Sequence, residues 1–454
     1  MTQVAAALDR TRLGGLLAAE LERFTATHPR SGELFAEARG SLLGGVPMSW
    51  MAKWAGGFPL FLAEAEGARI VDADGLEYVD FCLGDTAAMA GHAPAATVAA
   101  VAEQAARGTT AMLPSEDAIA ASQELARRFG LPLWQFTLSA TDANRFVVRL
   151  AREVTRRPKI LVFDYAYHGT VDETFATLRD GRVVARPGNV GPPVELALTT
   201  EVVQWNDADA LERALAGGEV ACVLAEPALT NIGIVLPEPG FHDVLREQTR
   251  RTGTLLVIDE THTLSAGPGG CTAAWGLAPD VVTIGKAIGG GVPVGAYGVS
   301  AELAERIVAR EEADYKDVGG IGGTLAGNLL SLAAVRATLG EVLTEEAFAH
   351  TIPLASHFAA GVAGVIEETG LPWHVTQLGC RAEYRFSPEP PRNGAESAAA
   401  GDEELERYLH LHALNRGVLL TPFHNMALMC PATTEVDVDR HTEVFAEAVH
   451  DLLG

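Results

Sequence analysis

Lysine is scarce in this chain: its 454 residues include only Lys53, Lys159, Lys286 and Lys316. Lys286 alone follows an apolar, β-branched run, Val281 to Ile284, straight into a glycine-rich turn made by Gly285 and Gly289 to Gly291. An amine carried from a buried strand into such a loop is stripped of water and can act as a nucleophile or Schiff-base former. Other apolar runs also end in reactive residues. A strand expected at 134–138 opens into Ser139-Ala140-Thr141-Asp142-Ala143-Asn144 and a helix at 142–156. The unpaired N–H groups of a helix start, joined by two hydroxyls, suit a phosphate, although an ordinary helix cap would use the same residues. The strand at 159–164 ends in Tyr165-Ala166-Tyr167-His168-Gly169, and the one at 220–225 ends in Glu226-Pro227. The strand at 254–259 ends in Asp259-Glu260-Thr261-His262-Thr263. A carboxylate in the position of Asp259 can hold a protonated ring nitrogen. Each turn alone reads equally well as capping; five along one sheet edge do not.

The elements that must position these turns follow from periodicity. Residues 1 to about 40 have helical spacing, and residues 46–59 read as a loop carrying Trp50 and Trp54. Three short strands follow, with Asp74-Gly75 as a hairpin turn. Alanine-rich helices are expected at 95–107 and 117–129. The later strands are continuously apolar rather than alternating, as in a parallel sheet covered on both faces, where ligands gather at the carboxyl ends. Residues 388–401 read as a loop after a strand near Arg381–Phe386. The expected division is 1–90 as an N-terminal segment with part of a small domain, 91–330 as the large domain and 331–454 as the C-terminal small domain. A net charge of −25 argues against nucleic acid and anionic membrane surfaces as partners. Five widely spaced cysteines without a C-x-x-C pair give neither a disulfide framework nor a zinc site, so no metal is expected and a cytoplasmic setting is the default. The N-terminus lacks a secretory pattern, and no uninterrupted apolar run reaches the roughly 18 residues needed to span a membrane.

A phosphate cup, an aromatic, a buried aspartate and a lysine are together what pyridoxal 5′-phosphate (PLP) requires. The segments Ser139–Asn144, Tyr167-His168-Gly169, Glu226–Asn231, Asp259–Thr263, Gly285–Gly291 and Gly323–Asn328, in this order, resemble the class III (ω-aminotransferase-type) PLP enzymes. The resemblance covers nearly the whole chain and is strongest to the branch of glutamate-1-semialdehyde 2,1-aminomutase and β-amino-acid aminotransferases. It implies an α/β fold of PLP fold type I: a large domain with a mainly parallel sheet, and a small α+β domain from the two chain ends. It implies that Lys286 binds the cofactor and moves protons, Asp259 pairs with the ring nitrogen, and Tyr167 and Thr261 cover the ring faces. Ser139, Ala140 and Thr141 would hold the phosphate, Glu226 would lie near the ring oxygen, His168 and His262 would belong to the cofactor site, and Asn144 would support the turn. Thr324 would reach the phosphate of a neighbouring subunit in a homodimer. The family pattern D-E-V-x-T reads D-E-T-H-T here.

The substrate region departs from that branch, in which the segment after the paired glycines carries a carboxylate-clamping arginine. Here Gly44 to Trp54 has none; Trp50 and Trp54 make it apolar, and Lys53 is its only cation. Asp85 would place a negative charge near the substrate and repel carboxylates. Arg381 and Arg385 are further candidate carboxylate ligands. The expected activity is ping-pong transfer from an amine or amino acid to a carbonyl acceptor, with bulky or non-α-amino substrates. The alternatives are an intramolecular aminomutase and, in a different class, a PLP-binding scaffold without catalysis.

Overall fold

The computed structural model describes residues 8–309 and 319–454, so Lys316 lies outside the described residues. Two compact units result: residues 1–94, 346–390 and 400–454 form the first, and residues 95–345 and 391–399 the second.

In the first unit, helices α1 (Arg10–Thr27) and α2 (Pro29–Ala38) precede a meander of β1 (Leu62–Glu66), β2 (Arg69–Asp72) and β3 (Glu77–Asp80). A buried relay joins helix to meander: His28 Nε2 lies 2.7 Å from Tyr78 Oη, which donates to Asp72 Oδ2 at 2.7 Å.

The second unit is built on α3 (Ala95–Arg107), α4 (Glu116–Phe129), β4 (Leu133–Thr137), α5 (Ala140–Thr155) and β5 (Lys159–Phe163). A hairpin of β6 (Ala176–Arg179) and β7 (Arg182–Ala185) leads to β8 (Thr200–Val203), α6 (Ala208–Ala216) and β9 (Val220–Ala225). Then come α7 (Phe241–Thr252), β10 (Leu255–Asp259), β11 (Val281–Ile284) and β12 (Gly295–Val299). Among the described residues these make a seven-stranded sheet in the order β4-β12-β11-β10-β9-β5-β8. Strands β8, β5, β9, β10 and β11 run parallel, and β12 is antiparallel to both β11 and β4. Two reversals leave β4 pointing the same way as β11, so the chemically loaded turns do share one sheet edge. Every residue of β9, β10 and β11 is buried, as a sheet covered on both faces demands.

The remaining strands, β13 (His374–Leu378), β14 (Arg381–Arg385), β15 (Val418–Leu419) and β16 (Met426–Leu428), belong to the first unit. There β15 extends the meander beside β3, and β13-β14-β16 form an antiparallel sheet.

One expectation needs correction, and two features go beyond the sequence pattern. Strand β12 is hidden in the sequence because its two glycines read as loop. A Cβ at Gly298 would overlap the Trp134 ring, and one at Gly295 the Ser139 carbonyl, so close strand packing demands both. The 388–401 loop contains a helix, Gly394–Ala399, fastened by Asn393 Oδ1 accepting the Glu396 N–H at 2.9 Å. Finally, the helix Glu345–Thr369 is long and apolar enough, by length and composition alone, to cross a membrane. Polar residues interrupt its apolar runs, which hid it from a count of consecutive residues. Its buried Phe348, Thr351, Leu354, Ala355, Phe358, Val362, Val365 and Ile366 recur at helical spacing, the stripe of a core helix.

Phe358 packs 4.3 Å from the His441 ring, with Phe81 and Phe445 also against it. Burial lowers the His441 pKa to about 3. The unfolded chain takes up this proton below about pH 6.5 while the folded chain refuses it, so stability falls as pH falls through that window. At pH 5 the loss is about 2 kcal/mol from this residue. Urea denaturation between pH 7 and pH 5 should show a shallower pH slope in His441→Leu than in the parent chain.

Candidate active site

The turn after β10 begins from an anchor. Glu260 is fully buried, and its carboxylate accepts the Thr263 hydroxyl at 2.5 Å, the Cys271 N–H at 3.1 Å and the Thr272 hydroxyl at 2.6 Å. Gly270 has φ +59°, and a Cβ there would overlap that carboxylate. Burial raises the Glu260 pKa, the hydrogen bonds only partly opposing it. With Glu260 turned inward, its neighbour Asp259 faces a separate cluster. Asp259 Oδ2 accepts Asn144 Nδ2 at 2.9 Å and lies 3.0 Å from His168 Nδ1, while Oδ1 accepts the Thr261 N–H at 3.1 Å. Burial pushes this carboxyl upward. The hydrogen bond and charge of His168, with Thr261 and Asn144, outweigh that push and hold it below the usual aspartate range.

Asn144 is the hub. It also donates to the His168 carbonyl at 3.2 Å and accepts the Thr283 hydroxyl at 2.7 Å, so one amide ties α5, the 165–170 turn, β10 and β11 together. The sequence reading gave Asn144 only a supporting part and missed Thr283. The signal was present: a threonine inside the apolar run Val281–Ile284 must find a hydrogen-bond partner when buried.

At the start of α5, Ser139 is the N-cap and its Oγ accepts the Asp142 N–H at 3.2 Å. The N–H groups of Ala140 and Thr141 have no acceptor within the helix. Thr141 Oγ1 accepts the Thr170 N–H at 3.1 Å, which leaves its own proton to donate. Gly169, at φ +73°, permits this contact, since a Cβ there would overlap Thr141 Oγ1. Gly285 packs on the same helix start: a Cβ at 285 would lie 2.9 Å from both N and Cβ of Ala140.

Lys286 therefore leaves β11 beside this cup, with φ +48°, a left-handed conformation uncommon for a residue with a side chain. Its Nζ lies 2.8 Å from His262 Nε2. Glu226 is buried and its pKa is raised by that burial. Its oxygens accept the Tyr167 N–H at 3.0 Å and the Thr230 hydroxyl at 2.5 Å, so its observed contacts fix the Tyr167 turn.

The second unit thus gathers Ser139, Ala140, Thr141, Tyr167, His168, Glu226, Asp259, Thr261, His262 and Lys286 at one sheet edge. Thr324 lies apart from them, exposed and lining a groove of about 530 Å³ with Met112, Leu113 and Ile119. Trp50, Trp54 and Asp85 belong to the first unit. There Lys53 Nζ sits about 6.0 Å from the Trp50 ring and 5.9 Å from the Phe423 ring. Asp85, expected to place a negative charge near the substrate, has a cation beside it: Arg381 NH2 lies 4.0 Å from Asp85 Oδ1 and donates to Thr86 Oγ1 at 3.1 Å. Arg385 faces Glu406 at 3.6 Å. Among the described residues no cluster of histidine, cysteine and carboxylate side chains could hold a metal ion.

The donor set fits PLP. An ionised, buried carboxylate suits a protonated ring nitrogen, the α5 start suits a phosphate, and Lys286 suits an aldehyde. Two buried atoms, Thr261 Oγ1 and His168 Nε2, have no hydrogen-bond partner among the described residues.

The model of the class-III aminotransferase family matches residues 50–449. A glutamate-1-semialdehyde 2,1-aminomutase of Roseiflexus castenholzii (strain DSM 13941 / HLO8) is 35% identical over 403 residues, 87% of this chain and 90% of that protein. The crystal structure of a glutamate-1-semialdehyde-aminomutase from Pseudomonas aeruginosa PAO1 aligns with a TM-score of 0.96 and 52% identity, covering 98% of this chain and 99% of that one. A K286A form of that protein in complex with PMP aligns equally well, at 0.96. An omega-transaminase from Sphaerobacter thermophilus aligns at 0.84 with 31% identity, over 93% and 98% of the two chains.

Replacing His168 by Phe leaves the Asp259 carboxylate buried without its main compensating partner, so its pKa rises. In the parent protein His168, Thr261 and Asn144 keep Asp259 charged to a pH below the usual aspartate range. Equilibrium dialysis against falling pH should show the His168→Phe protein releasing pyridoxal phosphate at a higher pH than the parent.

Proposed function

The chain belongs to the class-III aminotransferase family, whose cofactor is PLP, and on that footing we propose that it is an intramolecular aminomutase, moving an amino group between carbons of one small amino aldehyde of the glutamate 1-semialdehyde type. The observation that carries this reading is the likeness to the Pseudomonas aeruginosa aminomutase at 52% identity over 98% of the chain.

When bound, the cofactor supplies an aldehyde that takes amines covalently and a protonated ring that draws electrons from the adjoining carbon. Asp259 keeps its charge in the buried site and so holds the ring nitrogen protonated. His168 and Asn144 aim that carboxylate. Ser139, Ala140 and Thr141 anchor the phosphate, Tyr167 and Thr261 flank the ring, and Glu226 sets the backbone of Tyr167. Lys286 Nζ takes a proton from one substrate carbon and returns it at another position. Lys53, exposed beside the Trp50 and Phe423 rings, is the only cation in segment 44–54.

A ping-pong transaminase for bulky amines is the second reading. It is favoured by the absence of arginine from residues 44–54 and by the 31% identity to an omega-transaminase. Glutamate 1-semialdehyde carrying a ¹⁵N label, offered without any amino acceptor, separates the two. Isomerised product that retains the label supports the mutase; turnover only after a carbonyl acceptor is added overturns it in favour of the transaminase. In either reaction Lys286→Ala should lower kcat by at least about 10³-fold, as expected for loss of acid–base catalysis.

The reading includes a homodimer in the cytoplasm. Five free, buried cysteines suit a reducing compartment. Met112 and Leu113, 79% and 68% exposed, flank the groove that holds Thr324, and a second copy would cover them. Met112→Glu with Leu113→Glu should halve the sedimenting mass and weaken PLP retention together. A variant that retains the parent's mass would exclude this face.

A further inference from the structure

His262 stands between Thr261 and Thr263 on the turn after β10, and its ring reaches Lys286. We propose that His262 is the acid–base partner of Lys286, accepting a proton from its amine and handing it back during each turnover; this rests on the reading that Lys286 is the reacting lysine.

The geometry is specific. His262 Nε2 and Lys286 Nζ are 2.8 Å apart, and His262 is only 7% exposed. Two nitrogens at this distance share a single proton, because two donors cannot face each other there. When the pair carries one positive charge it is either an ammonium donating to a neutral imidazole or an amine accepting from an imidazolium. Passage between these states breaks one N–H bond at Nζ and forms one at Nε2. The positive charge moves to the ring, and Nζ keeps the electron pair it needs to attack a carbonyl or remove a proton from carbon. Imidazole is the side chain suited to that exchange near neutral pH.

The ring is also held in place. On one side the Thr261 N–H is bound by Asp259 at 3.1 Å, and on the other the Thr263 hydroxyl is bound by Glu260 at 2.5 Å. Backbone freedom at 262 is thus removed from both flanks, and Lys286 is fixed opposite by the close approach of Gly285 to Ala140. The charged groups on the surrounding turns are Asp259 and Glu260 on the same turn, His168 and Glu226 on the two adjoining turns, and Asp142 at the start of α5. Asp259, Glu260 and Glu226 are each already hydrogen-bonded to other groups. The imidazole nitrogen, 2.8 Å away, is a proton acceptor placed directly on Nζ.

The test uses the cofactor-free protein, so that it does not depend on turnover. Trinitrophenylation of Lys286 by 2,4,6-trinitrobenzenesulfonate, in which Nζ bonds to the ring carbon and sulfite leaves, quantified by peptide mass spectrometry across pH 6 to 9, should be at least about tenfold slower in His262→Ala and His262→Gln at neutral pH. Added imidazole should restore the rate in His262→Ala, whereas 1,3-dimethylimidazolium, which fills the same space without a basic nitrogen, should not. His262→Gln can keep a hydrogen bond but cannot carry the proton. A parent-like rate in that variant overturns the proposal, as does equal rescue by both additives. The holoenzyme is trapped separately with borohydride: a cofactor adduct on a residue other than Lys286 sinks the underlying reading, whereas an adduct on Lys286 with no imidazole rescue sinks this proposal alone.

Discussion

A buried carboxylate that keeps its charge must be surrounded by donors, and in this protein that requirement organises the active edge of the sheet. Asp259 draws Asn144 from α5, His168 from the turn after β5 and the Thr261 N–H from its own turn. Each donor comes from a different part of the chain. Unpaired, such a group would cost several kcal/mol or give up its charge. The same bonds that keep it ionised therefore bring the phosphate cup, the aromatic turn and the lysine loop to one place. Catalytic electrostatics and local folding here rest on one set of contacts.

Neighbouring Asp259 and Glu260 show how position separates two like side chains. Both are buried. Asp259, beside His168 and two amide donors, is held low, whereas Glu260, with only neutral donors, is raised by its burial. One is a fixed charge held by donors at the sheet edge; the other is a structural staple between the 259–263 turn and the 270–272 segment.

Much of the second unit could be read from the chain because buried parallel strands leave uninterrupted apolar runs, and the turns after them carry unusual residues. Strands at 159–163, 220–225 and 281–284 fall within a residue of where the pattern puts them. The parts that escaped share a cause: they depend on partners remote in sequence. Strand β12 looks like loop until Trp134 and Ser139 are seen to occupy the space that side chains would need. Asn144 looks like a helix residue until Asp259, His168 and Thr283 converge on it. Asp85 looks like a bare charge until Arg381, nearly three hundred residues later, is found beside it. Local pattern reports propensity and burial, but not which distant group answers a polar atom.

The glycines around the cup differ in how freely they can be exchanged over evolutionary time. At Gly169 the obstructing atom is the Thr141 hydroxyl, a side chain, so the two positions can change together, within the limits of a left-handed backbone. At Gly285 one obstructing atom is the backbone nitrogen of Ala140, which no substitution at 140 removes. A lineage that lost Gly285 could not recover the geometry by a second change at the helix start; it would have to move the whole helix. The spacing between the lysine and the start of α5 is thus a fixed dimension of the backbone.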